Sequence, residues 1–511
     1  MSFESKIYDF IVVGGGTAGC VLAARLSART NARVLLLEAG GARLPKGAPI
    51  PAAWPNLLQS SACWGDFTTK QAASGTATLL ARGRGLGGSS SINGMVFARG
   101  HRSSYDAWAA DGVTDWRFAD LLPYFQRSEN AQGRDPMFRG VGGPLTVGPA
   151  SRPNPVLAAC LAAAGEAGHP LVSDVSSGVE EGFGWTDLNI VDGKRQSAAD
   201  AYLASAADRP NLDIVTRATV HRLRIEDGRC IGVEYSAGRL ISAGCADEVI
   251  LAAGTIGSAQ LLMLSGIGPL AHLRDVGIDV VLDLPGVGAN LHDHPISNLV
   301  YSARRPVPAG RNNHAEALGL LRSRPGIDAP DLQIIFVDGP GHIPYAAAPE
   351  QGYTISVSVI TPRSRGTLRL ADTTPSTPPL LDPNYFGDDH DLDTMVAGLR
   401  LGRQIGQASA LDMWRGAEVS PGPDVDDDEG LRAYVRSTLA SYCHPVGTCR
   451  IGVDPMAVVD NELRVHGVDG LRVADGSIIP SVPSANTNAT VYAIAERAAD
   501  LIRATYPEAL I

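Results

Sequence analysis

Two hydrophobic rhythms alternate along this chain. Ile7–Val13 is a nearly unbroken apolar run rich in β-branched and aromatic side chains, the pattern of a strand buried on both faces of a parallel sheet. A helical pattern follows over 20–28, then a second apolar run over 33–37 that closes on Glu38. The theme returns at 248–255, where another apolar strand runs into Gly254. Between these, 211–220 and 230–235 read as short strands of a meander. Further on, 331–337 and 353–359 alternate with period two, which predicts a sheet with one face toward solvent or a cavity. An amphipathic helix is predicted over 490–502. The segment 249–270 carries no charge and is nominally long enough to span a bilayer. Gly254, Gly257, Gly266 and Gly268 interrupt it, so it predicts a buried strand (249–253), a turn and a short helix. No membrane segment is expected.

The junction after the first strand carries chemistry. Gly14-Gly15-Gly16-Thr17-Ala18-Gly19 fits G-x-G-x-x-G at Gly14, Gly16 and Gly19. Gly14 allows a tight turn, Gly16 a close backbone approach to a pyrophosphate, and Gly19 close packing of helix on strand. The helix N-terminus then faces the phosphates, and Glu38 can accept hydrogen bonds from a ribose. Strand, turn, helix, second strand and terminal acid all stand at the offsets of a dinucleotide site. The motif does not separate NAD from FAD; Glu38, in place of a basic residue, argues against NADP. A second glycine-rich stretch, Gly83 to Gly94 with Ser89, Ser90, Ser91 and Asn93, offers consecutive N–H and hydroxyl groups. Such a stretch can wrap an anion or the edge of a planar ring.

Length and composition narrow the class. At 511 residues the chain exceeds the ~250–300 residues at which single cores stop growing, so two domains or one elaborated fold are expected. The 44% hydrophobic and 19% charged residues are those of a globular protein. Net charge is −11 without a basic cluster, which excludes nucleic acid as a partner, because phosphate contacts need grouped Lys and Arg. There are 57 glycines, well above the usual ~7%, as tight turns and close ligand approaches require. The seven cysteines are widely spaced with no C-x-x-C pair. Reduced thiols in a cytoplasmic protein are expected rather than disulfides or zinc, and the first residues show no export pattern.

The motifs taken together resemble the glucose–methanol–choline (GMC) oxidoreductase family. One family signature is matched over 83–106 by Gly83, Arg84, Leu86, Gly87, Gly88, Ser89, Ser90, Ile92, Asn93, Phe97, Gly100 and Asp106. The second begins at Gly254-Thr255 and ends at Ser265-Gly266-Ile267-Gly268, with Ala259 where Pro or Ser is usual. The segments 286–294, 444–449 and 472–477 are similar to further family segments, so the resemblance runs the length of the chain. It implies an α/β (α+β) protein in which a Rossmann-like FAD-binding domain (1–150, 195–295 and 439–511) carries an inserted substrate domain (151–194 and 296–438) built on an antiparallel sheet. It also implies FAD contacts from Gly14, Gly16, Thr17, Ala18, Gly19, Glu38, Ala39, Arg84, Gly87, Gly88, Ser89, Asn93, Gly94, Val96, Val220, Ala253, Gly254, Asp475, Gly476, Asn486 and Thr487. Some members attach the flavin through a histidine in the serine-rich loop; Ile92 occupies that slot here, so the cofactor is expected to be non-covalent.

Carried over by motif, His444 is the general base and Asn486 its partner. The chemistry needs such a pair: an alcohol must lose its hydroxyl proton as hydride leaves the adjacent carbon for the flavin. A histidine, with a pKa of ~6.5, can take that proton near neutrality. An uncharged amide can hydrogen-bond the developing alkoxide without competing for it. His292 and His294 flank Asp293; with no third ligand in the sequence, a structural Asp–His hydrogen bond is expected rather than a metal site. The other histidines, His342 among them, read as ordinary surface or satisfied residues. The expected activity is oxidation of a primary alcohol, aromatic or heteroaromatic by family analogy, to an aldehyde. Dioxygen is favoured as acceptor because no haem motif is present. A dehydrogenase using another acceptor and a hydroxynitrile-lyase-like enzyme are the alternatives.

Overall fold

The computed structural model describes residues 7–28, 32–179, 181–341 and 347–507. Residues 1–6, which bear on the export reading, and His342 lie outside it.

The first sheet is built on the strands the apolar runs predict. Its order is Leu212–Thr216, Val34–Glu38, Ile7–Val13, Leu240–Leu251, Arg229–Ser236, Thr219–Glu226. The first three run parallel to one another and to Leu240–Leu251, with Phe10 beside Val34 and Val13 beside Leu251. One long strand does double duty. The first part of Leu240–Leu251 pairs antiparallel with Arg229–Ser236, and Val249 to Leu251 pair parallel with Leu471–Val473. The predicted meander is therefore real for 219–251, but Leu212–Thr216 does not belong to it. Arg217 turns the chain with φ +55°, and the preceding strand joins the parallel edge beside Val34–Glu38 instead.

Parallel pairing has one consequence for function. The carboxyl ends of four strands fall along one edge, so Gly14, Glu38, Ala253 and Asp475, which follow or close them, are brought together. Helix Thr17–Leu26 leaves that edge and packs against helix Asn488–Thr505. Arg25 joins the two through Glu496 at 2.7 Å, and Tyr202 donates to the same buried carboxylate. The segment 249–270 forms a strand end and helix Gly254–Leu264. No described helix is long and apolar enough to cross a membrane.

The second sheet is antiparallel, in the order Arg415–Ser420, Pro295–Ala303, Gly352–Val359, Leu332–Val337, Ala317–Leu321, Gly182–Trp185. One face packs on helix Asp389–Gly406. Gly398 and Gly402 permit this, since side chains there would meet Val357 at 2.5 Å and Leu299 at 2.8 Å. The period-two alternation separates Leu299, Ile355 and Val357 on the helix face from Asn298, Thr354 and Ser356 on the other. That second face borders the cavity described next.

Candidate active site

A cavity of about 590 Å³ lies between the parallel edge and the inner face of the antiparallel sheet, within the ~300–1,000 Å³ of small-molecule sites. Most of the sequence-predicted cofactor residues line it: Gly14, Gly16, Thr17, Ala18, Glu38, Ala39, Gly88, Ser89, Asn93, Gly94, Val96, Val220, Ala253, Gly254, Asp475, Gly476, Asn486 and Thr487. Three do not. Gly19 packs so tightly that a Cβ would sit 1.7 Å from the Gly14 carbonyl oxygen. Gly87 donates its N–H to the Gly15 carbonyl at 2.8 Å. Arg84 borders a neighbouring hollow of about 390 Å³ and lays its guanidinium 4.8 Å from the Trp64 ring centre.

The wall suits a dinucleotide. Gly14 has φ +105°, and a side chain there would meet Ala252 at 2.5 Å; at Gly88, φ +54°, it would meet Gly16 Cα at 2.6 Å. Only bare backbone fits at both places, and the first-turn N–H groups of helix Thr17–Leu26 have no intrahelical acceptor. Glu38 is buried and accepts from the backbone N–H of Gly15 (2.8 Å), Gly40 (2.7 Å) and Gly85 (2.9 Å). Burial raises its pKa and these three donors oppose the rise. It therefore ties both glycine loops to the strand end as well as facing the cavity. Asp475 does the same at the other crossover, accepting from Gly254 N–H, Ser258 Oγ and Ser477 N–H.

The catalytic candidates meet at the same cavity. Asn486 Nδ2 lies 3.1 Å from His444 Nε2, and His444 Nδ1 lies 3.0 Å from His294 Nδ1. His294 Nε2 in turn lies 3.2 Å from the Ile360 carbonyl oxygen. A carbonyl only accepts, so His294 carries its proton on Nε2 and offers a lone pair at Nδ1. His444 must then donate from Nδ1, which leaves the Nε2 lone pair as the acceptor for Asn486. Gln333 donates to Asn486 Oδ1 at 3.5 Å, consistent with that amide orientation. The result is one directed chain, with the basic nitrogen of His444 beside the Asn486 amide.

Asp293 holds the two histidines by their backbones. Its carboxylate accepts from the N–H of His294 (2.8 Å) and His444 (2.7 Å), and from the hydroxyls of Tyr385 and Ser441. The Asp–His hydrogen bond expected from the sequence is thus made to the His294 backbone, and neither the His292 nor the His294 ring bonds Asp293. The carboxylate takes the His294 backbone N–H, while the His292 N–H goes to the Val446 carbonyl. His292 instead bonds the Asn290 carbonyl at 2.6 Å and accepts from Val482 N–H at 2.9 Å. Among the described residues no group of three or more His, Cys, Asp or Glu could hold a metal ion.

Family models for the N- and C-terminal parts of GMC oxidoreductases match residues 8–296 and 362–495. The chain belongs to the GMC oxidoreductase family. It is 40% identical to an oxygen-dependent choline dehydrogenase of Brucella suis, over 98% of this chain and 96% of that one. A mitochondrial choline dehydrogenase of Mus musculus is likewise 40% identical, over 97% and 89%. Among solved structures, pyridoxine 4-oxidase from Mesorbium loti superimposes with a TM-score of 0.93 at 35% identity, covering 96% of this chain and 98% of that one. This GMC protein is accordingly a flavoprotein that uses FAD and oxidises alcohols, on the mixed α/β fold expected from its sequence.

Burial sets the protonation states of this GMC enzyme. The pKa of His444 falls well below the usual 6.5, first through desolvation and then through the neighbouring His294. His294 is lowered to about 3 by desolvation. Both rings are neutral at pH 7, as the hydrogen-bond chain requires. His294 is the residue that sequence reasoning left aside; the pairing of a histidine-rich segment with a second histidine motif was the only signal. Tyr442 was missed too: its ring lies 4.4 Å from that of His444, and its buried hydroxyl faces the Asn486 side chain.

Proposed function

We propose that this enzyme oxidises a primary alcohol to an aldehyde, with His444 as general base and Asn486 as the donor that steadies the substrate oxygen. The observation that carries the reading is the directed chain from Ile360 through His294 to His444, which turns a neutral Nε2 lone pair toward the cavity. FAD, when bound, supplies the hydride acceptor and the route by which electrons leave. Gly14, Gly16 and the first turn of helix Thr17–Leu26 would hold its pyrophosphate, Glu38 the ribose, and the 87–94 loop the ring edge. When substrate binds, the Asn486 N–H would pass from Nε2 to the substrate oxygen, freeing the lone pair with which His444 takes the hydroxyl proton as the C–H bond breaks. Asn486 Nδ2, already next to Nε2, is placed to hydrogen-bond the oxygen as charge develops there.

Dioxygen is the proposed electron acceptor, supported by the similarity to an oxygen-dependent choline dehydrogenase and to pyridoxine 4-oxidase. Non-covalent FAD is supported by the buried, unreactive Ile92 and by Cys443, a cavity thiol whose pKa burial pushes up to about 11. A thiol rather than a thiolate is a poor nucleophile. A division into an FAD domain (1–150, 195–295, 439–511) and a substrate domain (151–194, 296–438) is supported by where the second sheet draws its strands, Ala440–Ser441 alone crossing over. Seven free thiols, all but Cys443 buried, favour a reducing compartment such as the cytoplasm. The test is anaerobic mixing with a panel of primary alcohols. The flavin absorbance should bleach and return when air is admitted. A flavin that no alcohol bleaches would defeat the reading.

A further inference from the structure

The relatives named for choline raise a question of charge that the cavity itself addresses. A quaternary ammonium cannot donate a hydrogen bond, so a buried site must neutralise it with a carboxylate or surround it with open aromatic faces. Among the described residues, the cavity is lined by two carboxylates, Glu38 and Asp475. Each already accepts three hydrogen bonds from backbone N–H and hydroxyl donors that tie the cofactor loops. Residues 342–346, next to cavity residue Gly341, contain no Asp or Glu in the sequence. Asp293 stands behind the histidines, is not among the lining residues, and is saturated by four donors.

The aromatic faces are no more available. Trp64 already carries the guanidiniums of Arg82 and Arg84 at 4.3 and 4.8 Å from its ring centre. Tyr442 spends its ring on His444. Among the described residues that leaves Trp54, one ring, which makes no cage, and the sequence of 342–346 adds only Tyr345.

What the sheet face beside His444 offers instead is neutral. Asn298, Ser356 and Ile335 lie side by side across three strands. Ser356 Oγ donates to Asn298 Oδ1 at 2.7 Å, which leaves the Asn298 amide N–H groups directed to no described protein acceptor. Ile296 and Val337 complete an apolar surround. An amide donor among aliphatic side chains repels a cation and suits an uncharged acceptor atom.

We infer that the substrate is an uncharged primary alcohol and that quaternary ammonium alcohols such as choline are rejected, the Asn298 amide standing where a cation's counter-charge would be needed. This rests on the alcohol-oxidising reading above. The test uses shape-matched pairs, anaerobically, on the FAD-loaded enzyme: 3,3-dimethylbutan-1-ol against choline, and 4-tert-butylbenzyl alcohol against 4-(trimethylammonio)benzyl alcohol. Each pair differs only by carbon in place of charged nitrogen. The neutral member should reduce the flavin with at least ~30-fold higher second-order rate, since an unpaired buried cation loses most of its solvation. In Asn298→Asp, which keeps the shape and adds a carboxylate, that ratio should move at least ~10-fold toward the cation. A wild-type enzyme that reduces as fast with either cation as with its neutral partner would overturn the inference and leave the alcohol reading standing. An unchanged ratio in the variant would overturn the role given to Asn298. If no alcohol of the wider panel bleaches the flavin, the alcohol reading itself fails and this inference with it.

Discussion

Replacing His294 isolates what the histidine chain contributes, because this residue acts on the reaction only through His444. In His294→Ala the buried Nδ1–H of His444 loses its acceptor at 3.0 Å. Leaving a buried donor unsatisfied costs about 1–3 kcal/mol, or ~5- to 150-fold in rate if the cost falls on the base-competent tautomer. The loss should stay below that of removing the base. Asn486 still presents an N–H to Nε2 and so disfavours the tautomer that would protonate that nitrogen. The assay is anaerobic rapid-mixing reduction of the flavin across pH 5–9. In the wild type His444 must be neutral to act, so the rate is lost as pH falls through its folded pKa. Because that pKa lies below 6.5, the acid limb should lie below 6.5 as well. Removing His294 takes away one of the two influences that lower it and opens the site to water, so the limb should move up toward 6.5. His294→Asn can restore an acceptor near the Nδ1 position and should recover most of the rate. A His294→Ala enzyme with the wild-type rate and an unmoved limb would refute the directed chain.

Other outcomes follow from the same geometry. His444→Ala should slow flavin reduction by ~10²–10⁴-fold with FAD retained, and Asn486→Ala by ~10–10³-fold; wild-type rates in stopped-flow traces would remove either residue from the mechanism. A carbinol-deuterated alcohol should show a primary isotope effect on reduction in the wild type, and its absence would place C–H cleavage outside the measured step. Glu38→Ala should lose FAD occupancy and also melt at lower temperature, because three charge-assisted bonds of about 1.5–3 kcal/mol each hold two loops; unchanged Tm and occupancy would contradict that role. Acid precipitation should release the flavin quantitatively to the supernatant, whereas yellow colour retained in the pellet would show a covalent link.

Local chemistry explains what was legible in the sequence. The strand–glycine–helix junction at 7–19, the acid at Glu38 and the serine-glycine loop at 83–94 each act through neighbouring backbone. Their residue types therefore specify the turn, the cradle and the cofactor class without reference to the rest of the chain. The alternating runs at 331–337 and 353–359 likewise announced a second sheet. The sequence did not show that Glu38 would bind the N–H of Gly85 as well as Gly15, or that Leu212–Thr216 would join the parallel edge. The state of His444 was hidden for the same reason. Its tautomer depends on a ring 150 positions earlier, whose own proton is placed by a carbonyl 66 positions further on. Spacing along the chain carries no information about such contacts. Two sheets had to pack before the three groups met, and only their burial drove the imidazoles neutral. The sequence by itself determined which groups are available for catalysis; the tertiary structure decided which nitrogen bears the proton, because that depends on distance and desolvation.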